Sequence, residues 1–153
     1  MFKIKIDPEQ MRYKPNNFSF WLCILAIAFN ILHFIIIYSS KTITPDYVIG
    51  IDVFVNIVFM LFIFLASVKT QAYSIGWSYA VGGIAVIELL RIFIVPLRFN
   101  LKKELVGLDF VLTVVFLVAS SVCLTLASVV CWIRGKVLQK YFANLDADKG
   151  EAS

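Results

Sequence analysis

Apolar residues along this chain neither alternate nor keep to one narrow helical stripe. They fill four long runs, over residues 18–39, 47–68, 73–95 and 106–133. A helix needs about 20 apolar residues to cross the hydrocarbon core of a bilayer, so each run predicts one spanning helix. The connections "SKTITPD", "KTQA" and "PLRFNLKKEL" are short. Short connections force neighbouring helices antiparallel. The predicted fold is therefore all-α: an integral membrane four-helix up-down-up-down bundle with both termini on the same side. A polar leader, 1–17, precedes the bundle of 18–133, and a polar tail, 134–153, follows it. The leader carries no small-residue cleavage site after a short apolar core, so it is expected to stay as a leader, not to act as a cleaved signal. The tail is expected to continue helically for a turn or two and then fray.

Composition agrees with the pattern. The chain is 61% hydrophobic and 16% charged, with mean hydropathy +0.89, against roughly 45–50% apolar and about 25% charged in soluble domains. The net charge of +4 does not point to nucleic acid, because Lys and Arg flank the apolar runs and no phosphate-binding loop or RNA-binding signature is present. The flanks set an orientation. Lys3, Lys5, Arg12, Lys14, Lys69, Arg134, Lys136, Lys140 and Lys149 fall on one side; Lys41, Arg98, Lys102 and Lys103 fall on the other. The positive-inside rule then predicts cytoplasmic N- and C-termini in a cytoplasmic (plasma) membrane. Trp21, Trp77 and Trp132 all fall at the predicted cytoplasmic helix ends, where indole rings favour the interface.

Polar residues inside the runs carry the candidate chemistry. Each helix holds one pair at a spacing of three or four: Asn30 and His33, Asp52 and Asn56, Glu88 and Arg91, Asp109 and Thr113. That spacing puts both members on one helical face. At 1.5 Å rise per residue, the ionisable members lie roughly 7–12 Å inside the outer boundary. A charged residue at a helix centre costs about 2.5–3.5 kcal/mol on insertion scales, so these faces should turn inward or toward a partner. Asp52, Glu88 and Asp109 against Arg91, with His33 neutral, leave two negative charges. Arg91 is expected to hold Asp52 or Asp109 across the bundle as well as Glu88. Interhelical hydrogen bonding, a ligand, ion or proton site, and docking to a partner subunit are the alternative roles of this cluster.

A second pattern concerns packing. Ala119, Cys123 and Ala127 recur every four residues in the fourth run, thickened by Ser120, Ser121, Thr125 and Ser128; Ser78 and Gly82 do so in the third. Small residues at this spacing let helix backbones approach closely. Gly82 lies well around the helix from Glu88, so the third helix is expected to use two faces, with a tight apolar inner half and a looser polar outer half.

No catalytic residues are predicted. The serines and cysteines lie away in depth from His33, which argues against a Ser–His or Cys–His unit. The cysteines form no C-x-x-C pair and there is a single histidine, so no metal site and no cofactor is expected. The expected function is a non-catalytic accessory or assembly subunit of a larger transport-type membrane complex. The alternatives are a small transporter or an outer-side ligand- or cation-binding protein, and then a small membrane enzyme. Expected partners are the lipid bilayer, another membrane subunit, or a second copy of the chain.

Overall fold

A computed structural model describes residues 9, 11, 14–39, 47–94, 96–103 and 105–151, with backbone alone at 48–49 and 148–151. The described elements are helices: α1 Asn17–Ser39, α2 Tyr47–Gln71, α3 Ile75–Ile94, α4 Pro96–Leu101 and α5 Leu108–Glu151. Four helical stretches are long and apolar enough to cross a membrane. They form an antiparallel bundle in which α5 packs against both α1 and α3, while α2 leans mainly on α1.

Burial is inverted relative to a soluble protein. Phe54 and Phe93 are each 68% exposed and Leu61 is 64% exposed, while Asn30, His33, Asn56 and Glu88 are buried. Large apolar side chains facing out with polar ones inside would aggregate in water. In lipid the same surface is solvated and the interior is where polar groups must find partners. The chain is a small multi-pass membrane protein.

What lets the helices touch is a set of small residues at seven-residue intervals. On the α1 side of α5, Ser120 Oγ donates to the carbonyl of Ala26 at 3.3 Å, and Ala127 O accepts from Ser19 Oγ at 3.2 Å. On the α3 side, Ser121 Oγ donates to Ala85 O at 2.9 Å. One turn pair away, Ser78 and Ser128 exchange bonds, each hydroxyl reaching the other's carbonyl at 2.7 and 2.9 Å. A methyl group added at Gly82 would sit 3.0 Å from Ser128 Oγ. The period of seven is the left-handed bundle repeat. It replaces the expected four-residue stripe in part: Cys123 and Ala127 are buried, but Ala119 is only half-buried and Ser120, Ser121 and Ser128 make the closest contacts. Membrane hydrogen bonds of this type contribute about 0.6 kcal/mol on average. Ser78→Ala and Ser128→Ala are each expected to cost about that much, measured by unfolding in detergent micelles, with the double variant costing less than the sum because the two bonds share one close approach.

On α3 the polar positions share a buried stripe with small ones, and Gly82 packs beside it against Ser128 of α5. Ser78, Val81, Ala85, Glu88 and Arg91 are all buried along the stripe, because steps of three and four stay on one side of a helix.

Two apolar clusters bracket the polar positions. Toward the end that carries Asn16 and Arg134, the core is built from Cys23, Ala26, Ile63, Val81, Leu124 and Ala127 with their neighbours. At the opposite end Ile37, Phe99 and Leu105 pack together with Phe110 against them. The looser outer end expected from sequence is therefore capped. Pro96 opens α4 at the helix position that tolerates it best, and α4 folds over the end of the bundle with Phe99 1% exposed. Asn100 Nδ2 donates to Leu105 O at 3.1 Å, holding the return. Gly107, with φ 68°, supplies the left-handed turn into α5, a conformation glycine adopts without strain.

α5 corrects the expectation for the tail. It does not fray after a turn or two but runs 44 residues, about 66 Å at 1.5 Å per residue. Beyond Ile133 the segment has no proline, and eight of its twenty residues are Lys, Leu or Ala, all good helix formers. It is also held from the side. Arg134 Nη1 donates to Asn16 Oδ1 at 2.9 Å and Tyr141 OH donates to Glu9 Oε1 at 3.3 Å. Leu138 and Phe142 line a cleft of about 350 Å³ with Lys14, Pro15 and Tyr73.

Candidate intramembrane polar site

The polar pairs meet inside the bundle in two layers about one helical turn apart. In the layer nearer Phe99, Arg91 Nη2 donates to Asp52 Oδ1 at 3.0 Å, an ion pair 5% and 9% exposed. The Arg91 guanidinium also lies 5.7 Å from the centre of the Phe59 ring. His33 and Thr113 are buried at this depth, with His33 beside both Arg91 and Thr113.

One turn further in lie Asn30, Glu88 and Ser120, with Asn56 at the same depth from its position one turn along α2 from Asp52. Asn30 Nδ2 donates to Ser120 Oγ at 2.7 Å and to Ala26 O at 3.2 Å. Asn56 Nδ2 donates to Asp52 Oδ2 at 3.2 Å. The Glu88 carboxylate lies beside Asn30 and Ser120 without a hydrogen bond of good geometry to either. Its contact with Arg91 Nη1 is long, at 4.0 Å. Arg91 therefore serves Asp52 first, and Glu88 only weakly.

The hydrogen-bond balance of the inner layer is lopsided. Asn30 Oδ1, Asn56 Oδ1 and both Glu88 oxygens are buried without a partner among the described residues. All four are acceptors. The amide orientations are fixed chemically: Asn56 Nδ2 faces a carboxylate and Asn30 Nδ2 a carbonyl, and neither group can donate to a flipped amide oxygen. The outer layer also has unpartnered atoms, at both His33 nitrogens, Arg91 Nε and Nη1, and Thr113 Oγ1, but there donors and acceptors are mixed. Unpaired buried acceptors cost about 1–3 kcal/mol each, more for charged groups.

Asp109 is not part of this arrangement. Its side chain is exposed at the start of α5, so it joins neither layer. The first turn of the helix turns it outward, and its place in the cluster is taken by Ser120, a residue grouped with packing positions on sequence grounds. The charge left inside is one carboxylate in excess, not two: Asp52 and Glu88 against Arg91, with His33 neutral. Two further features carry more weight than the sequence suggests. Phe99 closes the end of the bundle, and Ser19–Ala26–His33 opposite Thr113–Ser120–Ala127 sets the depth of the layers. The readable signal for the latter was the matching seven-residue spacing on two helices.

The arrangement offers little for bond-making chemistry. Cys23, Cys123 and Cys131 are free thiols buried in α1 and α5, and the Ser120, Ser121 and Ser128 hydroxyls donate to backbone carbonyls. Among the described residues no group of three His, Cys, Asp or Glu side chains is placed to hold a metal ion. Comparison with known proteins found no matching family model, no similar curated protein and no similar solved structure.

Proposed function

We propose that the chain works as a non-catalytic membrane subunit that takes up one positive charge at Glu88, reached from the Phe99 end of the bundle. One observation carries this reading: Glu88 is 0% exposed and both of its oxygens lack a hydrogen-bond partner, while the neighbouring guanidinium is held by Asp52. An uncompensated charge inside a membrane bundle is unfavourable by several kcal/mol, so the working state is one in which it is neutralised. The Phe99 end is the shorter route. Glu88 lies eight residues, about 12 Å, from Pro96 and thirteen, about 20 Å, from the start of α3 at Ile75. The longer route also runs through the close-packed core.

The neutralised carboxyl has an isosteric mimic. Glu88→Gln is expected to be at least as stable as the wild type when both are unfolded in detergent free of alkali-metal ions. A fall in Tm of more than about 4 °C, on the order of 1 kcal/mol for a chain of this size, would instead make Glu88 a structural partner of Arg91 and sink the proposal.

A role in a larger assembly is the second reading, favoured by the lack of a bond-making constellation. In that case a partner's Lys or Arg would be the rival source of the missing charge. The complete burial of Glu88 beneath the Ile37–Phe99–Leu105 cap leaves room for a proton or small ion more readily than for a partner's side chain. Purification in mild detergent followed by mass spectrometry separates the readings: a co-purifying membrane protein lost on Glu88→Gln supports the partner, and a lone chain supports the small cation.

A further inference from the structure

We infer that the positive charge taken up at Glu88 is a monovalent alkali cation, stripped of most of its water and held by the inner polar layer. The inference rests on the proposed role of Glu88 and adds the identity of the occupant. Four oxygens in that layer lack a hydrogen-bond partner among the described residues: Glu88 Oε1 and Oε2, Asn30 Oδ1 and Asn56 Oδ1. They come from three different helices, α1, α2 and α3, at one depth of the bundle. Ser120 Oγ, on α5, already accepts from Asn30 and keeps a lone pair free.

The count of acceptors decides between ion and proton. A proton on Glu88 turns one oxygen into a donor, matches one acceptor and leaves two unmatched. A cation is attracted to every oxygen around it at once. Carboxylate, amide carbonyl and hydroxyl oxygens are the ligands that hard cations take. The charge count favours a single charge: the layers hold one carboxylate beyond what Arg91 balances, so a monovalent ion brings the interior to neutrality, whereas a divalent ion leaves it positive. The Asn30 and Asn56 amide nitrogens are already engaged, by Asp52 Oδ2, Ala26 O and Ser120 Oγ.

The arrangement also explains why Asn30 and Asn56 are asparagines. Were they only helix-bonding groups, their Nδ2 bonds would suffice and their oxygens would be costly remainders. As ion ligands both ends of each amide have work: the nitrogen fixes the rotamer and the oxygen faces the ion.

The test is a thermal-unfolding series on the full chain in detergent, in chloride salts at constant ionic strength: sodium, lithium, potassium, and N-methylglucamine as a cation too large for the site. One alkali ion is expected to raise Tm by about 5–10 °C at a hundredfold excess over its Kd, with N-methylglucamine giving no rise. Asn56→Ala is expected to weaken the apparent affinity at least tenfold, and Asp109→Asn, outside the layers, to leave it unchanged. If Glu88→Gln is as stable as the wild type but no salt separates from N-methylglucamine, the proton is the occupant: the cation is overturned and the role of Glu88 stands. If Glu88→Gln is destabilised and no salt has an effect, both fall. The salt series on the wild type decides the matter even where Asn56→Ala fails to fold.

Discussion

Replacing Arg91 with alanine is expected to destabilise the protein by about 3–5 kcal/mol, the cost of leaving a buried charge without its partner. The loss is larger than that of the ion pair itself, because Asp52 and Glu88 both stay behind in a medium that solvates neither. The two carboxylates should not share it equally. Arg91 reaches Asp52 in a 3.0 Å hydrogen bond and Glu88 only at 4.0 Å. In double-mutant cycles measured by unfolding in detergent, Arg91 is therefore expected to couple more strongly to Asp52 than to Glu88. Asp52→Asn in the Arg91→Ala background should recover part of the lost stability, since it removes one stranded charge. Arg91→Lys should fall in between, keeping the charge but losing the planar fork. Stability of Arg91→Ala within about 0.5 kcal/mol of the wild type, the size of an ordinary surface change, would mean that water reaches the pair and that the layers are not closed by Phe99.

The paired and the unpaired parts of this interior lie one turn of helix apart. In the layer nearer Phe99, Arg91 and Asp52 satisfy each other and fix the relative positions of α2 and α3. In the next layer Asn30 and Ser120 tie α1 to α5, and the Glu88 carboxylate is left over. A cluster that served structure alone would be expected to end with its acceptors paired, since orphaned buried groups are rare in folded proteins. In the Glu88 layer the unpartnered atoms are all acceptors, whereas those beside Arg91 mix donors and acceptors, so the one-sided layer is the one that would suit a cation.

Much of this was legible in the sequence because membrane helices announce themselves through run length, and because intramembrane polar residues are too costly to be incidental. The spans, the antiparallel order and the pairs on α1, α2 and α3 follow from those two facts. Asp109 departs from the sequence expectation for a physical reason: its spacing to Thr113 fixes a helical face, but near a helix start the neighbouring loop decides whether that face is covered. Here the turn through Gly107 leaves it outside. The cap was illegible because six residues of α4 carry no periodic signal, and its burial depends on Phe99 meeting Ile37 and Leu105 from distant parts of the chain. The extension of α5 is not visible in the sequence pattern because a polar segment reads as fraying, whereas helix formers supported from the side by the leader hold their conformation.

Gly135 provides the sharpest check on how closely α5 approaches the α2–α3 turn. A Cβ atom built there would lie 2.8 Å from the carbonyl oxygen of Tyr73 and 2.8 Å from Ile75 Cγ1. The isoleucine can rotate away, but the carbonyl belongs to a turn that is pinned on several sides. Tyr73 itself takes φ 56°, an uncommon conformation for a non-glycine residue. It is held there by its amide bond to Thr70 O at 3.1 Å and its hydroxyl bond to Lys14 O at 3.1 Å. The turn has little freedom to retreat. Gly135→Leu is therefore expected to cost about 3 kcal/mol, at the upper end of overpacking effects, despite leucine being the better helix former by nearly 1 kcal/mol. Gly83 supplies the control. It lies in the interior of α3 with nothing within 4 Å of a built Cβ, so Gly83→Leu should gain the helix propensity and meet only lipid. The two variants differ in sign while making the same chemical change, and the comparison needs only their unfolding curves side by side. Equal stability of the two would show that α5 does not touch the turn at Gly135. The helix extension past Ile133 would then be held by its own propensity and not by packing on the bundle.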